Sequence, residues 1–247
     1  MPMIYLSPST QDWNPYVTGS GSEEYNMNLL ADELEPYLRS NGIRWVRNTP
    51  DMTAASSIRQ ANSLGGFDFY LALHSNASGA GSEGQNRGII AFYYPSSTLG
   101  QQAAELFAAR LREVYPLPDQ VRTQSTTTLG EVRQPRYPAN LIEIGYHDNY
   151  DDARWIETSR PQIAEALARG LTDFFGLPFI APEPMRVGIV STDGSALRLR
   201  DYPGTNGNVL ALLPNGARVE VYGAWEGWYV VRYGDAVGYA AQAYIET

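Results

Sequence analysis

The feature that most constrains the fold of this 247-residue chain is a change of sequence pattern near residue 180. Before it, strand-like and helix-like segments alternate. From Arg186 to Thr247, short β-branched or aromatic runs are separated by Gly, Asn, Asp and Pro. The alternation predicts an α/β fold with a mostly parallel sheet flanked by helices. The second pattern, of short runs between turn residues, predicts a small all-β unit.

Hydrophobic periodicity gives the order of the elements. We predict strands in five segments: 4–6, 43–46, 67–73, 88–94 and 141–145. We predict helices in four segments: 27–38, 52–64, 99–114 and 163–175. Residues 179–185 contain two prolines and predict a short, fairly stiff linker. The predicted domains are therefore residues 1–178 and 186–247.

Composition excludes several classes of partner. The formal net charge of -9 argues against non-specific nucleic-acid binding, which needs a basic face. No apolar stretch approaches the roughly 20 residues of a membrane span. With no cysteine, the chain has neither disulfides nor thiolate metal ligands. We expect no nucleic-acid partner and no membrane partner, and the sequence leaves the oligomeric state open.

The chain has only two histidines, and each follows an apolar run of strand-like length. His74 follows residues 69–73, and His147 comes shortly after residues 141–145. In open α/β sheets, sites gather at the carboxyl ends of strands. A catalytic zinc needs about three nitrogen or oxygen ligands and a nearby carboxylate that moves the proton. Glu24, His74 and one further donor, with Glu143 as base, would meet that requirement.

Three segments carry a resemblance to a known family. Glu24 lies four residues before Asn28, His74-Ser75-Asn76-Ala77 ends a strand, and Glu143-Ile144-Gly145-Tyr146 lies in a late one. In this order and spacing they resemble the zinc-dependent N-acetylmuramoyl-L-alanine amidases of the Amidase_3 type, over nearly all of residues 1–178. The resemblance implies an amidase/phosphorylase-like fold and one zinc ion.

The resemblance also implies the chemistry. The substrate would be peptidoglycan, and the bond cleaved would be the amide between N-acetylmuramic acid and L-alanine. Zinc would polarise this amide, while Glu143 takes a proton from the attacking water and passes it to the leaving amine. Glu24 and His74 would be metal ligands.

One segment departs from the family pattern. Where the family has Asp-Pro-Gly-His-Gly, this chain has Ser7-Pro8-Ser9-Thr10-Gln11, so the first zinc histidine is missing. Our hypothesis is that His147 takes the vacant position as the third ligand. A second possibility is that Gln11 completes the site. A third is that the metal is lost and the domain only binds.

Residues 186–247 resemble bacterial SH3 (SH3b) domains. Polar turns at Pro203-Gly204 and Asn215-Gly216 reverse short strands, and Trp228 supplies core bulk to a small SH3-like barrel. Such domains usually hold peptidoglycan peptides or bridges. We favour binding of the wall over a spacer role.

The whole chain is therefore predicted to be a two-domain cell-wall hydrolase, an endolysin or autolysin that acts extracellularly on the wall. Met1 to Leu6 lead straight into a strand without a signal-type segment, so we expect a removed leader or holin-type release. Two alternatives stay open: a catalytically inactive wall-binding protein, and a zinc peptidase that cuts the stem peptide.

Overall fold

The computed structural model describes residues 1–247, and its first sheet has six strands. In chain order these are β1 (Met3–Pro8), β2 (Arg44–Arg47), β3 (Phe69–Asn76), β4 (Ile89–Tyr93), β5 (Val121–Ser125) and β6 (Ala139–Tyr146). The six helices are α1 (Glu23–Ser40), α2 (Ala54–Leu64), α3 (Thr98–Arg112), α4 (Gly130–Arg133), α5 (Tyr150–Thr158) and α6 (Arg160–Phe175). The prediction of a mostly parallel sheet flanked by helices is confirmed. The hydrophobic periodicity did not predict strand β5 or helices α4 and α5.

The order of strands in this sheet is β2-β1-β3-β6-β4-β5. Strand β3 runs parallel to both β1 and β6, and β4 runs antiparallel to β6. Nearly every residue of β3 and β6 is buried, as expected for central strands covered on both faces. Because β1, β3 and β6 are parallel neighbours, their carboxyl ends lie side by side at one edge of the sheet.

Close packing between helices has a local cause at Gly170. A Cβ atom added there would lie 2.5 Å from Cδ1 of Phe107. Phe107 is fully buried on α3 and packs near Phe69 of β3, with their ring centroids 6.0 Å apart. Only glycine lets α6 approach Phe107 this closely, so the larger side chain fills the space.

By compactness the chain divides into two units. One unit contains Met3–Glu35 and Trp45–Phe174, and the other contains Met1–Pro2, Pro36–Arg44 and Phe175–Thr247. The first unit holds the six-stranded sheet described above. The domain boundaries drawn from the sequence at residues 178 and 186 stay predictions.

The second unit contains a seven-stranded, antiparallel sheet in the order β13-β7-β10-β11-β12-β8-β9. Its strands are β7 (Arg186–Val190), β8 (Leu197–Arg200), β9 (Val209–Leu213), β10 (Arg218–Trp225), β11 (Trp228–Tyr233), β12 (Ala236–Ala241) and β13 (Ile245–Glu246). A core of buried aliphatic residues and Tyr229 fills its interior. The predicted all-β fold of this region is confirmed.

No helix of the chain combines the length and the apolar character that crossing a lipid bilayer requires.

Candidate active site

A cleft of about 500 Å³ lies at the edge where β1, β3 and β6 end. Its wall includes polar or ionisable side chains from several elements: Ser7, Gln11, Asn48, His74, Glu131 and Glu143. A cleft with convergent polar groups in a largely apolar wall is the usual form of a small-molecule site. The predicted edge of the sheet therefore carries a cavity in which chemistry can take place.

Two buried carboxylates hold the imidazole of His74. Its Nδ1 atom lies 2.9 Å from Oε1 of Glu23, and its Nε2 atom lies 2.9 Å from Oε2 of Glu131. All three side chains are buried. Burial alone lowers the pKa of His74, but the hydrogen bonds of Glu131 and Glu23 outweigh it and hold the pKa well above 6.5. The ring is therefore an imidazolium that donates from both nitrogens.

Glu23 reaches His74 from the first turn of α1. Its carboxylate also accepts hydrogen bonds from the amide groups of Asn14 and Gln11. Burial raises the pKa of Glu23, but the hydrogen bond and charge of His74 outweigh this effect and keep it below its ordinary value. The helix N-terminus also favours a negative charge here.

Glu24, the predicted ligand, points elsewhere. Its Oε1 atom accepts a hydrogen bond from Nδ2 of Asn28 at 3.2 Å. Successive residues of a helix point about 100° apart, so only one of the two first-turn glutamates can face His74. The structure gives that place to Glu23, and a metal-binding role of Glu24 has no support from this geometry.

Glu143 lies on β6, directly across from His74 on β3. Its Oε2 atom is buried without a hydrogen-bond partner. Burial raises the pKa of Glu143 to about 7, the charge of His74 lowers it, and Glu23 and Glu131 raise it. A carboxyl group that titrates near neutral pH beside a cleft can both take and return a proton.

His147 lies outside the cleft and has structural partners. Its Nδ1 atom is 2.9 Å from the backbone oxygen of Ser75, and its ring stacks on Tyr16. Its backbone N–H donates to the oxygen of Asn76, next to the point where β3 ends. Gly145, with φ of 71°, turns the end of β6 and carries His147 toward β3. The structure therefore does not bring His147 to His74.

These side chains do not fit the zinc site predicted from the sequence. The chain contains no group of three or more His, Cys, Asp or Glu arranged to hold a metal ion. Both nitrogens of His74 are taken by carboxylates. Gln11 turns its amide nitrogen toward Glu23, and Nδ2 of Asn14 donates to the Gln11 oxygen, which fixes that orientation. The Gln11 oxygen therefore points away from His74.

Sequence reasoning missed two residues of the cleft. Glu131 sits on α4, whose four residues show no helical period. Trp13 lines the cleft yet remains 67% exposed. A carboxylate within the short segment Leu129–Val132, just before the strand of Glu143, was the one available signal for Glu131. A tryptophan in the loop expected after the first strand was the signal for Trp13.

Comparison with family models identifies both regions. Residues 5–173 match the family described as N-acetylmuramoyl-L-alanine amidase, and residues 195–246 match the bacterial SH3 domain. The chain is 27% identical over 185 residues to the sporulation-specific N-acetylmuramoyl-L-alanine amidase of Bacillus subtilis (strain 168). This similarity covers 72% of the chain and 69% of that relative.

Solved structures share the fold. The structure of an N-acetylmuramoyl-L-alanine amidase of Clostridium difficile 630 is 18% identical in sequence and has a TM-score of 0.62. The match covers 71% of this chain and 97% of that one. The amidase AmiC2 of Nostoc punctiforme is 17% identical, with a TM-score of 0.61 and the same two coverages. At such identities the likeness supports the fold, and the chemistry depends on the side chains of this chain.

Proposed function

Because this chain belongs to the N-acetylmuramoyl-L-alanine amidase family of peptidoglycan hydrolases, we propose that its cleft hydrolyses the amide between N-acetylmuramic acid and L-alanine. Glu143 is the general base. The observation that carries this role is its buried, unpartnered Oε2 beside the cleft, in a carboxyl group whose pKa is about 7. At neutral pH a substantial fraction is ionised and able to accept a proton.

The proposed reaction follows from these groups. Glu143 takes a proton from water while the water oxygen forms a bond to the amide carbonyl carbon. The positive charge of His74, whose backbone is paired with that of Glu143 across the strands, favours the ionised form of Glu143, which is the form that accepts the proton. The C–N bond then breaks, and Glu143 returns the proton to the leaving amine nitrogen. A carboxylate and an amine are the products.

The bacterial SH3 domain supports wall targeting, which we propose as its role in this chain. An enzyme of this family is expected to act outside the cell, on the wall itself. Co-sedimentation of the protein with purified peptidoglycan measures this binding to the wall directly.

Zinc is a separate question. The family is generally zinc-dependent, whereas zinc could bind His74 here only after Glu23 or Glu131 leaves it. From this donor set we expect no tightly bound zinc on His74. Metal analysis of the purified protein and the cleavage rate before and after chelation measure this, and one tight zinc per chain with chelator-sensitive cleavage would overturn the expectation.

The decisive experiment uses purified peptidoglycan. The wild-type protein should release L-alanine amino termini, and mass analysis of the fragments separates amide cleavage from cuts within the stem peptide. Glu143→Gln should still bind the wall but lose roughly 10²- to 10⁴-fold in turnover, the usual contribution of a general base. Glu33→Gln, a change at an exposed glutamate of α1, is the control.

Each other outcome has a meaning. Unchanged cleavage by Glu143→Gln refutes its role as base. Wall binding without cleavage by the wild-type protein supports the binding-only alternative. Fragments cut within the stem peptide support the peptidase alternative.

A further inference from the structure

His74 has a second partner that the proposed chemistry does not explain. Glu131 lies between β5 and β6 in sequence, 57 residues from His74, yet its Oε2 atom is 2.9 Å from Nε2 of the ring. Its side chain is almost fully buried, with 4% exposure. A buried carboxylate is costly unless it is paired and hydrogen-bonded, so its presence here needs a reason.

The remaining bonds of Glu131 fix its carboxylate in place. Its Oε1 atom accepts from the hydroxyl groups of Ser7 at 2.6 Å and Tyr70 at 2.8 Å. These donors come from β1 and β3, the strands whose ends form the cleft. One carboxylate oxygen is therefore anchored to the sheet, and the other is left to face His74.

An imidazole has two freedoms that affect a reaction: rotation of the ring and the choice of which nitrogen carries a proton. Glu23 alone, at Nδ1, restrains one end of the ring. With Glu131 at Nε2, both ends are held and both nitrogens donate. The position of the positive charge relative to Glu143 is then fixed.

We propose that Glu131 is a positioning residue, which locks the ring of His74 from Nε2 opposite Glu23 and so holds the imidazole beside Glu143, the proposed base. This inference rests on the proposed function. Glu131 itself contacts His74 and two hydroxyl groups, and it acts on the reaction through the histidine.

The test combines two variants with kinetics. Glu131→Asp withdraws the carboxylate by one methylene, and Glu131→Gln keeps the size but removes the charge. In each, kcat should fall roughly 10- to 100-fold, by analogy with the partners that orient metal-ligating histidines, while KM stays within about twofold. Thermal melting verifies that both variants fold.

Tyr5→Phe is the matched control. It removes a hydroxyl group that donates to Gln60 in the neighbouring core, and it keeps the ring that stacks on Tyr70. We expect kcat within twofold of the wild type. An equal loss of kcat in Tyr5→Phe and in the Glu131 variants would mean that the effect is general disturbance of the core, and it would overturn the proposal.

The second readout is independent of activity. Because the chain has two histidines, His147→Gln leaves His74 as the sole imidazole, and ¹⁵N-histidine NMR then reports its ring alone. With Glu131 present, both ring N–H groups should give slowly exchanging signals. Glu131→Asp should lose the Nε2–H signal and keep that of Nδ1–H.

The outcomes separate the two proposals. An unchanged ring spectrum in Glu131→Asp overturns the positioning role, as does a normal kcat in both Glu131 variants. If the wild-type protein cleaves no amide, the proposed function fails, and the positioning of a catalytic charge fails with it, whereas the spectrum still decides whether Glu131 locks the ring.

Discussion

The ionisation of Glu143 affects both the activity and the stability of the protein, and Glu143→Gln tests this dependence. The folded protein prefers the protonated carboxyl, because burial raises its pKa from 4.5 to about 7. The unfolded chain carries the ordinary value. Below pH 4.5 both states are protonated, so the group has no effect. As the pH rises from 4.5 through 7, the unfolded state releases its proton first, and the folded state loses stability relative to it.

The magnitude follows from the two pKa values. The pKa of Glu143 is 4.5 in the unfolded chain and about 7 in the folded protein. At about 1.4 kcal/mol per pKa unit, ionisation of this group lowers the free energy of unfolding by at most about 3.5 kcal/mol. Glutamine cannot ionise, so the variant is spared this loss. The stability of Glu143→Gln relative to the wild type should therefore increase by up to this amount between pH 4.5 and pH 8.

Urea unfolding of both proteins across that pH range measures the difference. Glu33→Gln, at an exposed position, should show a nearly constant difference from the wild type. Other titrating groups contribute to both curves and largely cancel in the comparison. A difference between Glu143→Gln and wild type that stays flat with pH would refute the assignment of a raised pKa to Glu143, and with it the argument for its role as base.

Three further predictions test the site and its support. Glu23→Gln should lower turnover by more than tenfold, because it removes the charged partner of Nδ1 of His74. Glu24→Gln should leave the turnover within twofold of the wild type. Equal losses of turnover by the two variants in the peptidoglycan assay would contradict the placement of α1. Asp152 is a fully buried carboxylate that accepts a hydrogen bond from Nε of Arg87. Asp152→Asn should lower the free energy of unfolding, measured with urea, by about 3–5 kcal/mol. A decrease below about 1 kcal/mol would contradict a stabilising role of this ion pair. Trp13→Ala should raise KM for soluble wall fragments with kcat nearly unchanged, because the exposed ring lines the cleft; an unchanged KM would exclude substrate contact.

The sheet and the edge that carries the site could be predicted from the sequence because long periodic segments encode them. The glutamate of the first turn of α1 that faces His74 could not be predicted. Glu23 and Glu24 are adjacent, and their directions depend on the helical phase at the start of α1, which a shift of one residue changes by about 100°. Sequence spacing does not fix that phase.

Other features of the site depend on equally local causes. Glu131 lies on a helix of four residues, too short for a periodic signal. His147 was placed near His74 because both follow strands, but the positive φ of Gly145 redirects the chain just before it. Such a turn depends on contacts with α5, where a Cβ atom on Gly145 would lie 3.2 Å from Ile156.

The pairing of His74 with two carboxylates distant in sequence also makes the active site depend on the folding of all three segments. Its partners lie 51 and 57 residues away along the chain, on opposite sides of it in sequence. One of them is carried by a four-residue helix, which has few hydrogen bonds of its own. Local opening of that helix separates Glu131 from the ring while the sheet stays folded. Under mild denaturant, activity should therefore disappear before the central strands lose protection against hydrogen exchange.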